Sequence, residues 1–259
     1  MSIRLQGICF DQKSSYQQGP AKAPALIREA LHCGSANSFS ETGVDLDKHL
    51  TDLGDFTITE YFDIEKISLE NADEKKRILT LGGDHSISFP VVKAAQATHG
   101  DFDILHIDAH ADLYHEFEGD PYSHACPFAR IMENGLAKRL VQVGIRTLND
   151  HQREQAQKYG VEVHEMKDWG HFKMPHFERP IYLSVDLDGL DPAFAPGVSH
   201  HEPGGLTTRE VISIIHRLKM PIIGADIVEY NPDRDNKGQT AHVAAKLLKE
   251  IVGKMVLNG

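Results

Sequence analysis

Positive charge is in short supply in this chain: 27 lysines and arginines stand against 38 aspartates and glutamates, a formal net charge of −11 over 259 residues. Binding to phosphate backbones needs a basic face, so no nucleic-acid partner is expected. Cysteine is scarcer still. Cys9, Cys33 and Cys126 show no CxxC spacing and cannot all pair, which argues against a disulfide framework and suits a reducing, cytoplasmic setting. No apolar run approaches the ~20 residues that span a bilayer, so no membrane partner is expected either. The opening MSIRLQGICF lacks a basic segment leading into an apolar one and reads as a first strand. Repeats, low-complexity tracts and Pro/Gly-rich linkers are also missing, and the length suits one large α/β unit. A single domain over residues 1–259 is expected.

What is present is alternation. Short β-rich runs occur at 3–10, 77–83, 102–108, 139–145, 161–166, 180–188 and 221–230. Between them lie helical patterns, among them APALIREAL (23–31), with Pro24 in its first turn, and the closing QTAHVAAKLLKEIVGKM. Strands alternating with helices of this length predict βαβ units: a three-layer α/β/α arrangement around a mostly parallel sheet. The more polar stretch 34–68 reads as loops, one short strand and part of a helix. In open parallel sheets, ligands collect beyond the carboxyl ends of the strands.

Four of the strands end in polar groups. GGDHS presents Asp84, His85 and Ser86; DAHAD presents Asp108, His110 and Asp112 at alternate positions; SVDLDGLDP presents Asp186 and Asp188; DIVEYNP presents Glu229. Singly, an Asp at a strand end is more often a helix cap or turn former, and a lone His beside a glycine turn is more often structural. Together they reverse that reading. Asp108, Asp112, Asp186 and Asp188 bring four negative charges to one end of the sheet, and each unpaired buried ion costs several kcal/mol. No run of Lys or Arg lies nearby to neutralise them, whereas two divalent cations would. With His85 and His110 the donors are four carboxylates, two imidazoles and no thiolate, a hard set favouring Mn²⁺ over Zn²⁺, with other divalent metals possible. Metal-assisted hydrolysis is the expected chemistry.

These four motifs, in this order, resemble the signatures of the ureohydrolase family of arginases and agmatinases, and are most similar to its plant-type arginase branch. The likeness extends through QGPAKAPALIREAL, CGSANS, LTDLGDF, YHEFEG, YSHA, FARIME, QVGIR and DPAFAPGVSH. It implies an arginase-like fold with about eight strands and two Mn²⁺ ions per subunit. One ion would be held by His85, Asp108, Asp112 and Asp186, the other by His110, Asp108, Asp186 and Asp188, with a bridging hydroxide attacking the guanidinium carbon. It further implies that Asp112 passes a proton to the leaving amine, that Glu229 pairs with the guanidinium, and that His124 occupies the proton-shuttle position. The products would be urea and a primary amine, and the assembly a homotrimer or homohexamer.

The partner is expected to be a small guanidino substrate, and the loop LYHEFEGDPYSH should help choose which. On resemblance the reaction is L-arginine to L-ornithine and urea, with agmatine to putrescine and urea the alternative. Asn149 falls where animal enzymes place an acidic reader of the amino group, and is a candidate substrate-binding residue. Another guanidino hydrolase, a single-zinc deacetylase-like amide hydrolase and a non-catalytic polyamine-binding homologue are lesser readings; the presence of all six candidate ligands argues against the last two. His106 reads as a hydrogen-bonded core residue, His200 and His201 as neighbours of the pocket, and Cys126 as packing.

Overall fold

The computed structural model describes residues 3–72 and 76–259; Met1 and Ser2, which the reading of the N-terminus and of the single domain included, lie outside them, as do residues 73–75. Eight strands form one sheet: β1 (Ile3–Cys9), β2 (Leu50–Thr57), β3 (Arg77–Leu81), β4 (Asp103–Ile107), β5 (Leu140–Ile145), β6 (Glu162–Glu165), β7 (Ile181–Asp186) and β8 (Ile222–Val228). Their spatial order is β2-β1-β3-β8-β7-β4-β5-β6, and every pairing is parallel. The expected three-layer parallel architecture is therefore the observed one. β2, an edge strand with half of its residues exposed, is the one short strand expected within the polar stretch.

Helices α1 (Ala23–Leu31), α6 (Thr208–Arg217) and α7 (Gln239–Leu257) pack one face. Helices α2 (Asp63–Asn71), α3 (Ser88–His99), α4 (Pro127–Glu133) and α5 (Asp150–Tyr159) cover the other. The strand period of two sorts side chains between these layers. In β7, Ile181, Leu183 and Val185 join the first core; Tyr182, Ser184 and Asp186 alternate with them and point the other way. Asp226 of β8, fully buried, accepts hydrogen bonds from Ser88, Tyr182 and Ser184 at 2.9, 2.8 and 2.5 Å. This hydroxyl cage keeps a buried carboxylate satisfied just beneath the strand ends. Among the described residues no helix is long and apolar enough to cross a membrane.

The strands that end in candidate residues, β3, β8, β7 and β4, are four consecutive neighbours in the sheet. Gly83, after β3, lets the chain pass against the N-terminal strand: a Cβ there would lie 1.7 Å from the Phe10 carbonyl oxygen. That oxygen accepts the Asp84 N–H at 3.0 Å, and Gly83 O accepts the Glu229 N–H at 2.9 Å. Gly83→Ala is expected to destabilise the protein by about 2 kcal/mol or more, because backbone must move, and to impair the site. Gly170→Ala, where nothing lies within 4 Å of the added Cβ, should be near neutral. Thermal unfolding of the two variants tests the contrast.

Candidate metal centre

Two imidazoles anchor two adjoining clusters of carboxylates. His85, 1% exposed, begins a short 3-10 turn that leads into α3. Its Nδ1 lies 3.2 Å from Asp108 Oδ2, 3.1 Å from Asp112 Oδ2 and 3.0 Å from Asp186 Oδ2, yet this buried nitrogen makes no hydrogen bond. On the other side of the ring, Nε2 is 3.0 Å from Ser184 Oγ, and Ser184 in turn donates to Asp226. That relay assigns the ring proton to Nε2 and leaves a lone pair on Nδ1. The second imidazole, His110, places Nδ1 3.4 Å from Asp108 Oδ1 and 3.0 Å from Asp188 Oδ2. Asp108 thus turns one oxygen to each cluster.

The convergence is not that of an extended strand. β4 stops at Ile107, and Asp112 reaches back through a left-handed backbone, φ 50°. Glu229 is left-handed too, φ 63°; such conformations cost non-glycine residues ~1–3 kcal/mol and collect at functional sites. Asp186 and Asp188, two apart, face different clusters because a 3-10 turn begins after β7. Asp186 Oδ1 accepts the Asp188 N–H at 2.8 Å and leaves Oδ2 for the His85 cluster.

This donor set fits divalent cations. Ligand atoms ~2.1 Å from an octahedral centre lie ~3.0 Å apart, close to the separations around the unpartnered His85 Nδ1. The electrostatics agree. Burial pushes the Asp186 carboxyl well above the usual carboxylate range, with the charges of Asp188 and Asp108 adding to it. Burial likewise raises Asp188, to about 6. Asp108 goes the other way: burial opposes its ionisation, but the imidazoles of His106, His110 and His85 hold it well below the normal range. Arg146, the guanidinium behind Asp188, donates instead to the carbonyls of Glu202, Gly144, Gly189, Asp188 and Leu190.

His124 and Glu229 meet beside the clusters, both buried. His124 Nδ1 is 2.8 Å from Glu229 Oε1, which also accepts the His85 N–H at 2.8 Å. His124 Nε2 accepts the Ser15 N–H at 3.1 Å and lies 2.8 Å from Ser15 Oγ. Burial alone would lower the His124 pKa, but the Glu229 charge outweighs it and raises the imidazole to about 9. Asp84 is not aimed at the clusters. Its oxygens take Ser86 N–H and Lys13 N–H, seating the loop that carries Ser15.

A cavity of about 240 Å³ opens over these groups, and Asp112, Asp186, Asp188, His110, His124 and Glu229 line it. It is also lined by Tyr114 and Phe117, from the loop expected to choose the substrate, and by Ser15, Thr147, Gln152 and Glu202, which the sequence reading did not single out. Asn149 requires a correction, because it does not line the cavity. Its Oδ1 caps α5 by accepting the Gln152 N–H at 2.9 Å, and its Nδ2 donates to Tyr114 Oη at 2.6 Å. His200 lines the cavity, whereas His201 turns away to the Pro196 carbonyl, 2.7 Å from its Nε2. His106 is fully buried, stacked on Phe128 and 2.8 Å from Asp108 Oδ2. Cys126 is buried, and its thiol is pushed up to about 12 by that burial.

A family model described as the arginase family matches residues 1–253. Arginase 1, mitochondrial, from Arabidopsis thaliana is 48% identical, covering 98% of this chain and 81% of that protein. The solved structure of an arginase from Medicago truncatula matches with a TM-score of 0.92 at 47% identity, over 98% of this chain and 87% of that one. An agmatinase from Bacillus subtilis (strain 168) is more distant, 32% identical over 96% of this chain and 90% of that protein.

The names correct one expectation. Plant arginases at 47–48% identity are named mitochondrial, which points to an organelle rather than to the cytoplasm. Unpaired thiols argue against an oxidising compartment but do not choose among reducing ones, so cysteine usage carried no information on this point.

Two predictions follow from the geometry. Ser184→Ala removes the acceptor that orients His85 and is expected to weaken metal binding about 10- to 100-fold, read by calorimetric titration of the metal-free protein. Metal affinity should also fall as pH drops through about 6, where Asp188 takes up a proton that competes with the cation; the same titration repeated across pH measures this.

Proposed function

The chain belongs to the arginase family, and from that premise we propose that it is a ureohydrolase converting L-arginine to L-ornithine and urea. The observation that carries this reading is the likeness to plant arginases, which runs over 98% of the chain at 48% identity. Residues 1–259 are proposed to act as one catalytic unit, assembled as a homotrimer or homohexamer on the strength of the family resemblance. The cofactor is proposed to be a pair of Mn²⁺ ions. His85, Asp108, Asp112 and Asp186 would hold one, and His110, Asp108, Asp186 and Asp188 the other. When bound, such a pair supplies Lewis-acid activation that makes hydroxide available near neutral pH.

The chain's own groups do the rest. Glu229 Oε1 is taken by His124 and the His85 N–H, which leaves Oε2 to accept from a guanidinium, a group that offers several donors and no acceptor. Asp112 turns Oδ2 to His85, and its other oxygen would hold a proton for the departing amine. His124 lies between Glu229 and the Ser15 hydroxyl, a position from which an imidazole can relay protons towards the cavity mouth.

Agmatine is the second reading, and one observation favours it: among the described residues no lysine or arginine lines the cavity, so a substrate carboxylate would meet no cationic clamp from them. Urea release from the manganese-loaded protein decides between them. Higher kcat/KM on L-arginine than on agmatine is expected, and the reverse order would make the protein an agmatinase. Glu229→Gln should lower kcat/KM about 100-fold or more with metal content unchanged; loss of metal in that variant would show a different role.

A further inference from the structure

Asp84, fully buried at the end of β3, serves a loop rather than either cluster. Its Oδ2 accepts the Lys13 N–H at 3.0 Å and the Ser14 hydroxyl at 3.3 Å. The Lys13 carbonyl in turn accepts the His124 N–H at 3.1 Å. Two residues on, Ser15 meets the His124 ring twice, with its N–H 3.1 Å and its Oγ 2.8 Å from Nε2. Segment 13–15 therefore grips His124 by backbone and by ring, beside the cavity that Ser15 helps to line.

These contacts fix how the ring carries its protons. A backbone N–H only donates, so Nε2 presents a lone pair to Ser15. The neutral ring then keeps its proton on Nδ1 and donates it to Glu229 Oε1 at 2.8 Å. A second proton must go on Nε2, where it meets the Ser15 N–H, donor against donor. The hydroxyl resolves that conflict, because it donates to the bare nitrogen and, after rotating, accepts from the protonated one. Glu229, Asp84 and Asp112 act on the ring with negative charge, and His200 faces it with a second imidazole, 5.5 Å between centroids. The Lys13 ammonium is paired with Asp120. Among the described residues, the Ser15 hydroxyl alone both donates and accepts within hydrogen-bond reach of Nε2.

We propose that Ser15 is a positioning residue whose hydroxyl reverses its hydrogen bond as His124 gains and loses a proton, so that the ring cycles between its two charge states without changing place. Asp84 seats that hydroxyl by tying segment 13–15 to the end of β3. This rests on the ureohydrolase reading and deepens it: the shuttle histidine belongs to that reading, and the switch against its Nε2 is added to it.

Two variants of one shape separate the hydroxyl from its packing. Ser15→Thr keeps it, and Ser15→Val replaces it with a methyl group that also keeps water from taking its place. Imidazole proton–nitrogen correlation spectra of the metal-free protein follow the ring across pH, with the His124 signals assigned by their loss in His124→Asn. The unmodified protein is expected to show neutral His124 protonated on Nδ1. Ser15→Val should move its titration midpoint down by about one pH unit, a roughly 10-fold weaker hold on the proton, and Ser15→Thr should restore it. In urea release by the manganese-loaded protein, Ser15→Val should lower kcat about 10-fold at unchanged metal content, with KM moving less than about 2-fold. A neutral ring protonated on Nε2, a midpoint unmoved in Ser15→Val, or a loss that Ser15→Thr does not recover would overturn the switch. If the unmodified protein releases urea from neither L-arginine nor agmatine, the ureohydrolase reading fails instead, and the spectra still decide whether the switch exists.

Discussion

Mutual repulsion among buried carboxylates is the constraint around which this molecule is arranged. Asp108, Asp186 and Asp188 are almost fully buried and Asp112 nearly so, all at the carboxyl ends of neighbouring strands. Without cations the cluster resists full ionisation: Asp186 and Asp188 are held up by burial while the imidazoles keep Asp108 down. Such a cluster is a poor way to stabilise a fold and a good way to bind divalent ions. Stability is thereby coupled to metal binding.

The surrounding scaffold makes that crowding possible. Gly144 and Gly189 bring their backbones so near Asp108 that a Cβ on either would lie 2.8 or 2.9 Å from its main chain. Below the site, the Asp226 hydroxyl cage fixes the His85 ring through Ser184. Behind it, Arg146 braces the turn carrying Asp188 by binding carbonyls. A charged group is used here as a structural clip, which keeps an excess cation out of the substrate cavity.

The inner half of this site was legible in the sequence because its signal is chemical. Asp and His at the ends of apolar strands violate the core pattern, and the violations recur on strands that βαβ topology makes neighbours. The geometry behind them was not legible. Alternate spacing suggested one extended face for Asp108, His110 and Asp112, whereas a left-handed Asp112 and a 3-10 turn at Asp188 distribute these groups between two clusters. The outer wall was hidden for another reason. Asn149 and Gln152 carry the N-x-x-Q spacing of a helix start, so capping masks the fact that Gln152 faces the cavity. The edge strand β2 was expected only as one short strand somewhere within 34–68, because its polar, half-exposed sequence lacks the apolar run that gave the inner strands their bounds.

The central claim is that the two clusters form one binuclear centre sharing Asp108 and Asp186. Titrating the metal-free protein with Mn²⁺, by calorimetry together with electron paramagnetic resonance, tests it directly. The account predicts saturation at two ions per chain with a spectrum showing exchange coupling between them. Saturation at a single ion, or two ions with uncoupled spectra, would contradict it.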